Sequence, residues 1–343
     1  MIELQSDKLA VSFPGLPLQP RLTIDFQRTL RIPDDGRDYP LPPGLGSFPL
    51  RHIDDFGARV PASWLKRGGV LLPMWQSEAL WLNFDSGYIE DRDTQYPFAV
   101  KIATGKISAI TGESWQHGLS RNPQDYLVVP EQPWLDGYCV EKGIIRQFVA
   151  MPLGEGYSVE EQITGEAEFG GMQIEVFPMR AEVFDKRFPL TQGGQGGHGI
   201  LCSLDIGLGS GGPMGLAPGG RMRQEIYADS FSIHDWDTEH GSRCFIHLVN
   251  STTWQRITGQ RPPSPPPTAR DYTQAGYPWF DYYDAELKAL DGSKTLAAVK
   301  SVKAKGQEKR LPPLPENKTV PVLNIVSLRA GLKRNQVRET DCF

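Results

Sequence analysis

The segment from His234 to His240 concentrates side chains that can bind a metal. It reads His-Asp-Trp-Asp-Thr-Glu-His, and divalent metals accept imidazoles and carboxylates as ligands. His234, Asp237 and His240 are the candidate metal ligands, and Asp235, Asp237 and His240 are the candidate site of a metal-assisted enzyme. The spacing fits no known metalloenzyme motif, and a polar loop that leads into a strand is the favoured interpretation of the same residues.

A glycine-rich segment at residues 193–220 is the second candidate for a site. Its stretch Gly-Leu-Gly-Ser-Gly-Gly fits the dinucleotide-binding pattern GxGxxG, but that chemistry needs a helix to begin directly afterwards. Pro213 and further glycines follow instead, so a nucleotide site is not expected. Glycines still let a backbone approach a ligand closely, and the alternative is a plain surface loop. The candidate ligand-binding residues here are Gly207, Gly209, Gly212 and Arg221.

Aromatic side chains cluster between residues 272 and 283. The members of this cluster are Tyr272, Tyr277, Trp279, Phe280, Tyr282 and Tyr283. Such a cluster can line a carbohydrate or apolar-ligand site or form a partner surface, or it can anchor a chain segment onto the body of the fold. Trp279 and Tyr283 are the candidate ligand-binding residues of the cluster.

Sequence motifs for nucleophilic catalysis are missing. There is no GxSxG elbow, no SxxK and no cysteine beside a recognisable histidine partner. The four cysteines are far apart and form no CxxC pair, which favours free thiols in a reducing compartment. The leading interpretation is a non-catalytic binding or protein-interaction protein that uses the glycine-rich segment and the aromatic cluster. A metal-assisted enzyme and a structural or assembly subunit remain alternatives, and the cofactor is left open.

Composition and charge limit the partners. The formal net charge of the 343 residues is −5, whereas nucleic-acid-binding surfaces are usually basic, so nucleic acid is an unfavoured partner. No apolar stretch approaches the roughly 20 residues of a membrane-spanning helix, and the N-terminus lacks the pattern of a secretion signal. We therefore expect a cytoplasmic protein with a protein or small-molecule partner, and the oligomeric state is open.

Short period-two patterns separated by glycine and proline predict a β-rich fold. In residues 21–32 apolar side chains share one parity, and two β-patterned runs flank Thr104-Gly105 as in a hairpin. Further strand candidates are 79–84, 98–103, 106–111, 144–151, 172–177, 243–250 and 320–328. The fold class is mainly β or α+β: an antiparallel sandwich or barrel-like body with short helices and a C-terminal helical arm.

The chain divides by composition into four parts. A β-rich body spans residues 1–260, with a possible division near 180–195, and a stiff proline-rich linker follows at 261–267. A helical arm covers 268–310, with its main helical tract at 284–305 restarted by Ser293. A tail with a returning strand covers 311–343. Within the body, Ser158 and Glu161 form a capping box for a short helix that Gly165 ends.

Three stretches resemble a family of proteins that carries no assigned activity. They are IRQFVAMPLGEGY at 145–157, GLAPGGRMRQEIY at 215–227 and AGYPWFDYY at 275–283. The likeness runs through most of the chain. It implies neither a mechanism nor catalytic residues.

Overall fold

The computed structural model describes residues 1–190, 213–283, 287–322 and 324–329. The strands in these ranges are β1 (Ile2–Gln5), β2 (Lys8–Ser12), β3 (Arg21–Thr29), β4 (Asp38–Tyr39), β5 (Gly44–Ser47), β6 (Arg51–His52), β7 (Val70–Met74), β8 (Ala79–Ser86), β9 (Tyr88–Ile89), β10 (Thr94–Gln95), β11 (Phe98–Thr104), β12 (Ile107–Ser108), β13 (Leu127–Val129), β14 (Trp134–Leu135), β15 (Gly137–Glu141), β16 (Ile144–Pro152), β17 (Met172–Pro178), β18 (Met214–Arg223), β19 (Ser242–Asn250), β20 (Trp279–Tyr283) and β21 (Ile325–Arg329). The α-helices are α1 (Ala62–Arg67), α2 (Val159–Thr164), α3 (Ala181–Arg187), α4 (Ser251–Thr258), α5 (Ala269–Gln274), α6 (Lys294–Ala298) and α7 (Val302–Glu308). Short 3-10 helices cover Ile53–Arg59, Glu90–Arg92, Ile233–Asp235 and Pro315–Asn317.

Two large sheets organise the chain. The ten-stranded sheet has the order β1-β2-β3-β8-β16-β18-β4, with β5, β14 and β15 attached to it, and is called here the large sheet. The seven-stranded sheet has the order β12-β11-β17-β19-β7-β6, with β13 attached. Most pairs are antiparallel, and β18/β4 and β19/β7 are parallel. The predicted β-rich fold class is confirmed, and no closed barrel forms in the described ranges.

The core lies between the inner faces of the two sheets. On β8, Leu80 and Leu82 are fully buried in it, and β3 contributes Phe26, the partner of Leu82. Side chains of the second sheet, among them Val100 and Ile174, belong to the same apolar cluster. Because a strand alternates its faces, Trp81 on β8 points away from this core, to the outer face of the large sheet.

Segments from the C-terminal part of the chain cover the outer face of the large sheet. The proline-rich residues 261–267 lie beside the connection between β7 and β8, where the Pro263 carbonyl accepts a hydrogen bond from Trp75 Nε1 at 2.8 Å. Val302 of α7 packs in a small apolar cluster with Val149 of β16. β20 lies beside Leu41, with which Phe280 exchanges two backbone hydrogen bonds. The arm therefore shapes the surface of the sheet rather than extending from it.

The predicted helical tract at 284–305 is much shorter in the structure. Residues 287–293 are not helical, and residues 284–286 lie outside the described ranges. Ser293 caps α6 by accepting from the Leu296 amide at 3.2 Å, and Ser301 caps α7 in the same way. Two serine caps so close together start two short helices in place of one long helix. The arm also contains a strand, β20, which composition alone did not indicate.

Two local predictions can be compared with the backbone directly. The hairpin joins β11 to β12, but Thr104 pairs with Ile107, so the turn residues are Gly105 and Lys106 rather than Thr104 and Gly105. Both have positive φ, 55° and 61°, as a type I′ turn requires. The capping box of Ser158 forms as predicted, and Gly165 ends α2 in the left-handed conformation.

Strands from both sides of the predicted division near 180–195 pair within the same sheets. β16 pairs with β18 in the large sheet, and β17 pairs with β19 in the other. The returning strand of the tail is β21, which runs parallel to β20 from the pair Trp279–Ile325 onward. Every large structural unit therefore draws on distant parts of the chain.

We expect the buried ion pair of Arg28 and Glu78 to be sensitive to loss of one partner. Arg28 Nη2 and Nε lie 2.8 Å and 2.9 Å from Glu78 Oε1, and both side chains are buried. Glu78→Gln removes a carboxylate that faces the buried guanidinium of Arg28, so the free energy of unfolding should fall by about 3–5 kcal/mol. Urea denaturation at pH 7 measures this loss.

The double variant Arg28→Met with Glu78→Met is the matched control for that substitution. It removes both charges, so its loss should be smaller than that of Glu78→Gln. A single variant within about 1 kcal/mol of the wild type would contradict the structural importance of the pair.

Candidate functional site

A cavity of about 340 Å³ opens on the outer face of the large sheet. We call it the aromatic pocket, and its lining residues are Leu41, Pro42, Pro43, Gly44, Trp81, Trp134, Asp136, Phe280 and Leu328. Its volume falls in the range of roughly 300–1,000 Å³ that is usual for small-molecule sites. The lining is apolar except for the indole N–H groups and one carboxyl group, that of Asp136.

Two tryptophans on neighbouring strands form one corner of the aromatic pocket. Trp81 projects outward from β8, and Trp134 stands on β14, where it pairs with Asn83 of β8. The two ring centroids are 6.4 Å apart and the ring planes meet at 79°. Tyr282 packs behind Trp134, with ring centroids 4.6 Å apart and planes at 60°. These steep angles enclose a volume instead of offering one flat stacking surface.

β20 supplies another wall because its side chains alternate. Phe280 faces the pocket, and the strand is held there by the Leu41 amide donating to the Phe280 carbonyl at 2.7 Å and the reverse bond at 2.9 Å. Trp279 points the other way and is fully buried in the core. Its Nε1 donates to Thr273 Oγ1 at 3.2 Å.

Asp136 is the one charged side chain that lines the pocket, and it is 3% exposed. Gln224 Nε2 donates to its Oδ2 at 2.7 Å, and the Asp136 amide donates to Gln224 Oε1 at 3.1 Å. Burial raises the pKa of the Asp136 carboxyl to about 7, against a smaller lowering by the Gln224 hydrogen bond. Near neutral pH this carboxyl is therefore divided between a protonated donor and an ionised acceptor.

The indole N–H of Trp81 is another polar group at the aromatic pocket, and its hydrogen-bonding capacity is unused. Trp81 Nε1 is buried and has no hydrogen-bond partner in the part of the chain that the structure describes. Gly44 packs directly against this ring, since a Cβ atom built there would lie 3.2 Å from Trp81 Cζ2 and 2.9 Å from Gln27 Oε1. A glycine at this position lets the 41–44 segment close one side of the pocket.

The three candidate metal ligands do not converge in the structure. His240 Nδ1 lies 2.8 Å from Asp237 Oδ2, and Asp237 Oδ1 accepts from the backbone amides of Glu239 and His240. Asp235 instead pairs with Arg187 at 2.7 Å. Among the described residues no group of three or more His, Cys, Asp or Glu side chains is placed to hold a metal. The site at His234, Asp237 and His240 stays a prediction.

The candidate ligand-binding residues are dispersed as well. Gly207, Gly209 and Gly212 lie outside the described residues. Arg221 is engaged by two carboxylates, with contacts of 2.8 Å to Glu141 and 2.6 Å to Asp38. Its guanidinium thereby joins strands β18, β15 and β4, and it does not line the aromatic pocket.

Tyr283 is the last residue of β20, and the buried Trp279 is four residues before it on the same parity of the strand. The aromatic cluster does reach the pocket, through Phe280 and Tyr282 on the opposite parity.

No protein-family model, curated protein or solved structure matches this chain. The resemblance of the three sequence stretches to a family without assigned activity therefore stays an expectation. In the ranges that the structure covers, no helix is both long and apolar enough to cross a membrane.

We expect Asp136 to make the protein less stable as the pH rises from about 4 to about 7. The folded-state pKa of about 7 lies above the unfolded value of about 4, so the folded state retains the proton and loses relative stability as the unfolded chain ionises. For this one group the free energy of unfolding should fall by about 3 kcal/mol between pH 4.5 and 7.5.

Urea denaturation of the wild type and Asp136→Asn across this pH range measures the contribution. The amide cannot ionise, so the variant should lack that part of the fall. Asp55→Asn, which removes an exposed carboxylate, is the control. Parallel stability curves for the wild type and Asp136→Asn would show that Asp136 ionises normally.

Proposed function

We propose that this protein binds a small, largely apolar molecule with one polar group in the aromatic pocket. The observation that carries the proposal is the buried carboxyl of Asp136 at the wall of an otherwise apolar cavity. Sites of this kind combine apolar and aromatic walls, which supply affinity, with a few polar groups, which fix the orientation of the ligand. The pocket has both parts.

The lining favours an apolar ligand over a carbohydrate. A sugar presents many hydroxyl groups, and each one buried without a partner reduces the affinity. Beyond its backbone and indole N–H groups, the pocket offers one polar side chain, Asp136. A ligand with a single polar atom near Asp136 and apolar surface elsewhere matches this distribution.

The scarcity of polar side chains in the described lining of the pocket also favours ligand binding over catalysis. General acid–base or nucleophilic chemistry uses a second positioned group beside the first, such as a base next to a nucleophile. Asp136 has the amide of Gln224 as its side-chain partner, and the other described lining residues carry no titratable group. The pocket therefore supports a ligand-binding protein, in line with the leading interpretation of the sequence but at different residues.

We expect Trp134→Ala to weaken ligand binding by at least about tenfold. Removal of a half-buried indole takes away contact area worth about 1.5–3 kcal/mol. Screening aromatic and branched-alkyl fragments by ligand-observed NMR would identify binders, and titration would compare their affinities for the wild type and the variant.

Trp115→Ala is the matched control because Trp115 is a half-buried tryptophan that does not line the aromatic pocket. It should leave fragment affinity unchanged. The proposal fails if no fragment binds the wild type, or if bound fragments are indifferent to Trp134→Ala. Trp279→Ala is unsuitable for this purpose, since that ring is part of the core and its loss would unfold the protein.

A further inference from the structure

We propose that the ligand of the aromatic pocket carries an organic cation, a tertiary or quaternary alkylammonium group held between the aromatic rings and the carboxylate of Asp136. This inference rests on the proposed function, since it specifies the ligand of the same pocket. It follows from the arrangement of the rings and from the distribution of charge around them.

The rings are arranged as walls that meet at an angle. A cation is attracted to ring faces within about 6 Å of their centroids, and a compact alkylammonium group can touch several faces at once. Trp81 and Trp134 meet at 79°, and Phe280 lines the same cavity. A flat aromatic ligand would instead favour a parallel slot, which these two tryptophans do not form.

Asp136 supplies the charge at the pocket, and that charge is negative. No Lys, Arg or His side chain is among the described lining residues, and Asp136 is the one acidic group there. The carboxyl receives a hydrogen bond from a neutral amide, so its negative form has no counter-charge. A bound cation supplies that charge in a desolvated place, where the attraction is stronger than in water.

The charged groups around Asp136 are directed elsewhere. Arg223, next to Gln224 on the chain, pairs with Asp281 of β20 at 2.8 Å, and Arg146 of β16 donates to the Val299 carbonyl at 3.1 Å. Desolvation raises the pKa of Asp136 and the Gln224 hydrogen bond lowers it by less, so neither influence comes from a neighbouring charge. Its ionisation therefore remains free to respond to a ligand.

A neutral ligand predicts the opposite pH dependence. If the protonated carboxyl donated to a ligand carbonyl, affinity would fall as the pH rises through the pKa of about 7. A cation binds the ionised form, so its affinity should rise about tenfold from pH 6 to pH 8, as the ionised fraction grows. The sign of the change separates the two ligand classes.

The test uses two probes of equal shape, phenyltrimethylammonium and tert-butylbenzene, titrated into the full chain at pH 6 and pH 8. Chemical shifts of the indole N–H groups report binding. The cation should bind at least tenfold more tightly than the neutral probe at pH 8, and about tenfold more tightly at pH 8 than at pH 6. Asp136→Asn should abolish the pH dependence and reduce the preference for the cation to what the ring faces supply, while Asp55→Asn, which removes an exposed carboxylate outside the lining, should keep both differences.

Other outcomes overturn the inference in distinguishable ways. Equal or tighter binding of tert-butylbenzene, or cation affinity that falls from pH 6 to pH 8, removes the cation and leaves the pocket as a site for a neutral ligand. If neither probe binds but screened fragments do so in a Trp134-dependent way, the cation inference alone fails. If no probe and no fragment binds, the proposed function fails with it.

Discussion

Burial of the Asp136 carboxyl without a cation is the constraint on which the pocket depends. Two other buried charged groups have strong partners: Lys101 pairs with Asp125 at 2.8 Å, and Glu160 accepts three backbone amides in the loop before β17. Asp136 has a neutral amide and apolar walls instead. A buried carboxyl with no cationic partner has a strongly shifted pKa, and groups with shifted pKa values are concentrated at functional sites.

The sheet and its covering segments produce this environment together. β8 and β14 direct Trp81 and Trp134 to the outer face, while the alternate residues of the same strands build the core. The pocket is completed when β20 returns beside Leu41 and turns Phe280 toward the tryptophans. Residues that are more than 140 positions apart in the sequence thus meet at one site, because the C-terminal part of the chain packs back onto the large sheet.

Sequence patterns predicted the class of fold and much of its local structure. Period-two alternation located β3, and the capping box located α2, since both depend on neighbouring residues. The aromatic cluster is a candidate binding element in the sequence, and Phe280 of this cluster does line the pocket. Side chains alternate along β20, so the ring of the candidate Trp279 lies in the core instead. A bulky tryptophan at 81, on the polar parity of β8, was the one available signal. No sequence pattern marks Asp136 as a site residue, because its burial depends on strands far away in the sequence.

The most direct test of this account is the pKa of Asp136, followed through its side-chain carboxyl ¹³C resonance in the ligand-free protein and assigned with Asp136→Asn. The account predicts a midpoint near the value of about 7 that burial imposes. A midpoint near the ordinary value of about 4 would show that the carboxyl is solvated or already paired with a cation, and would remove the basis of the proposed site.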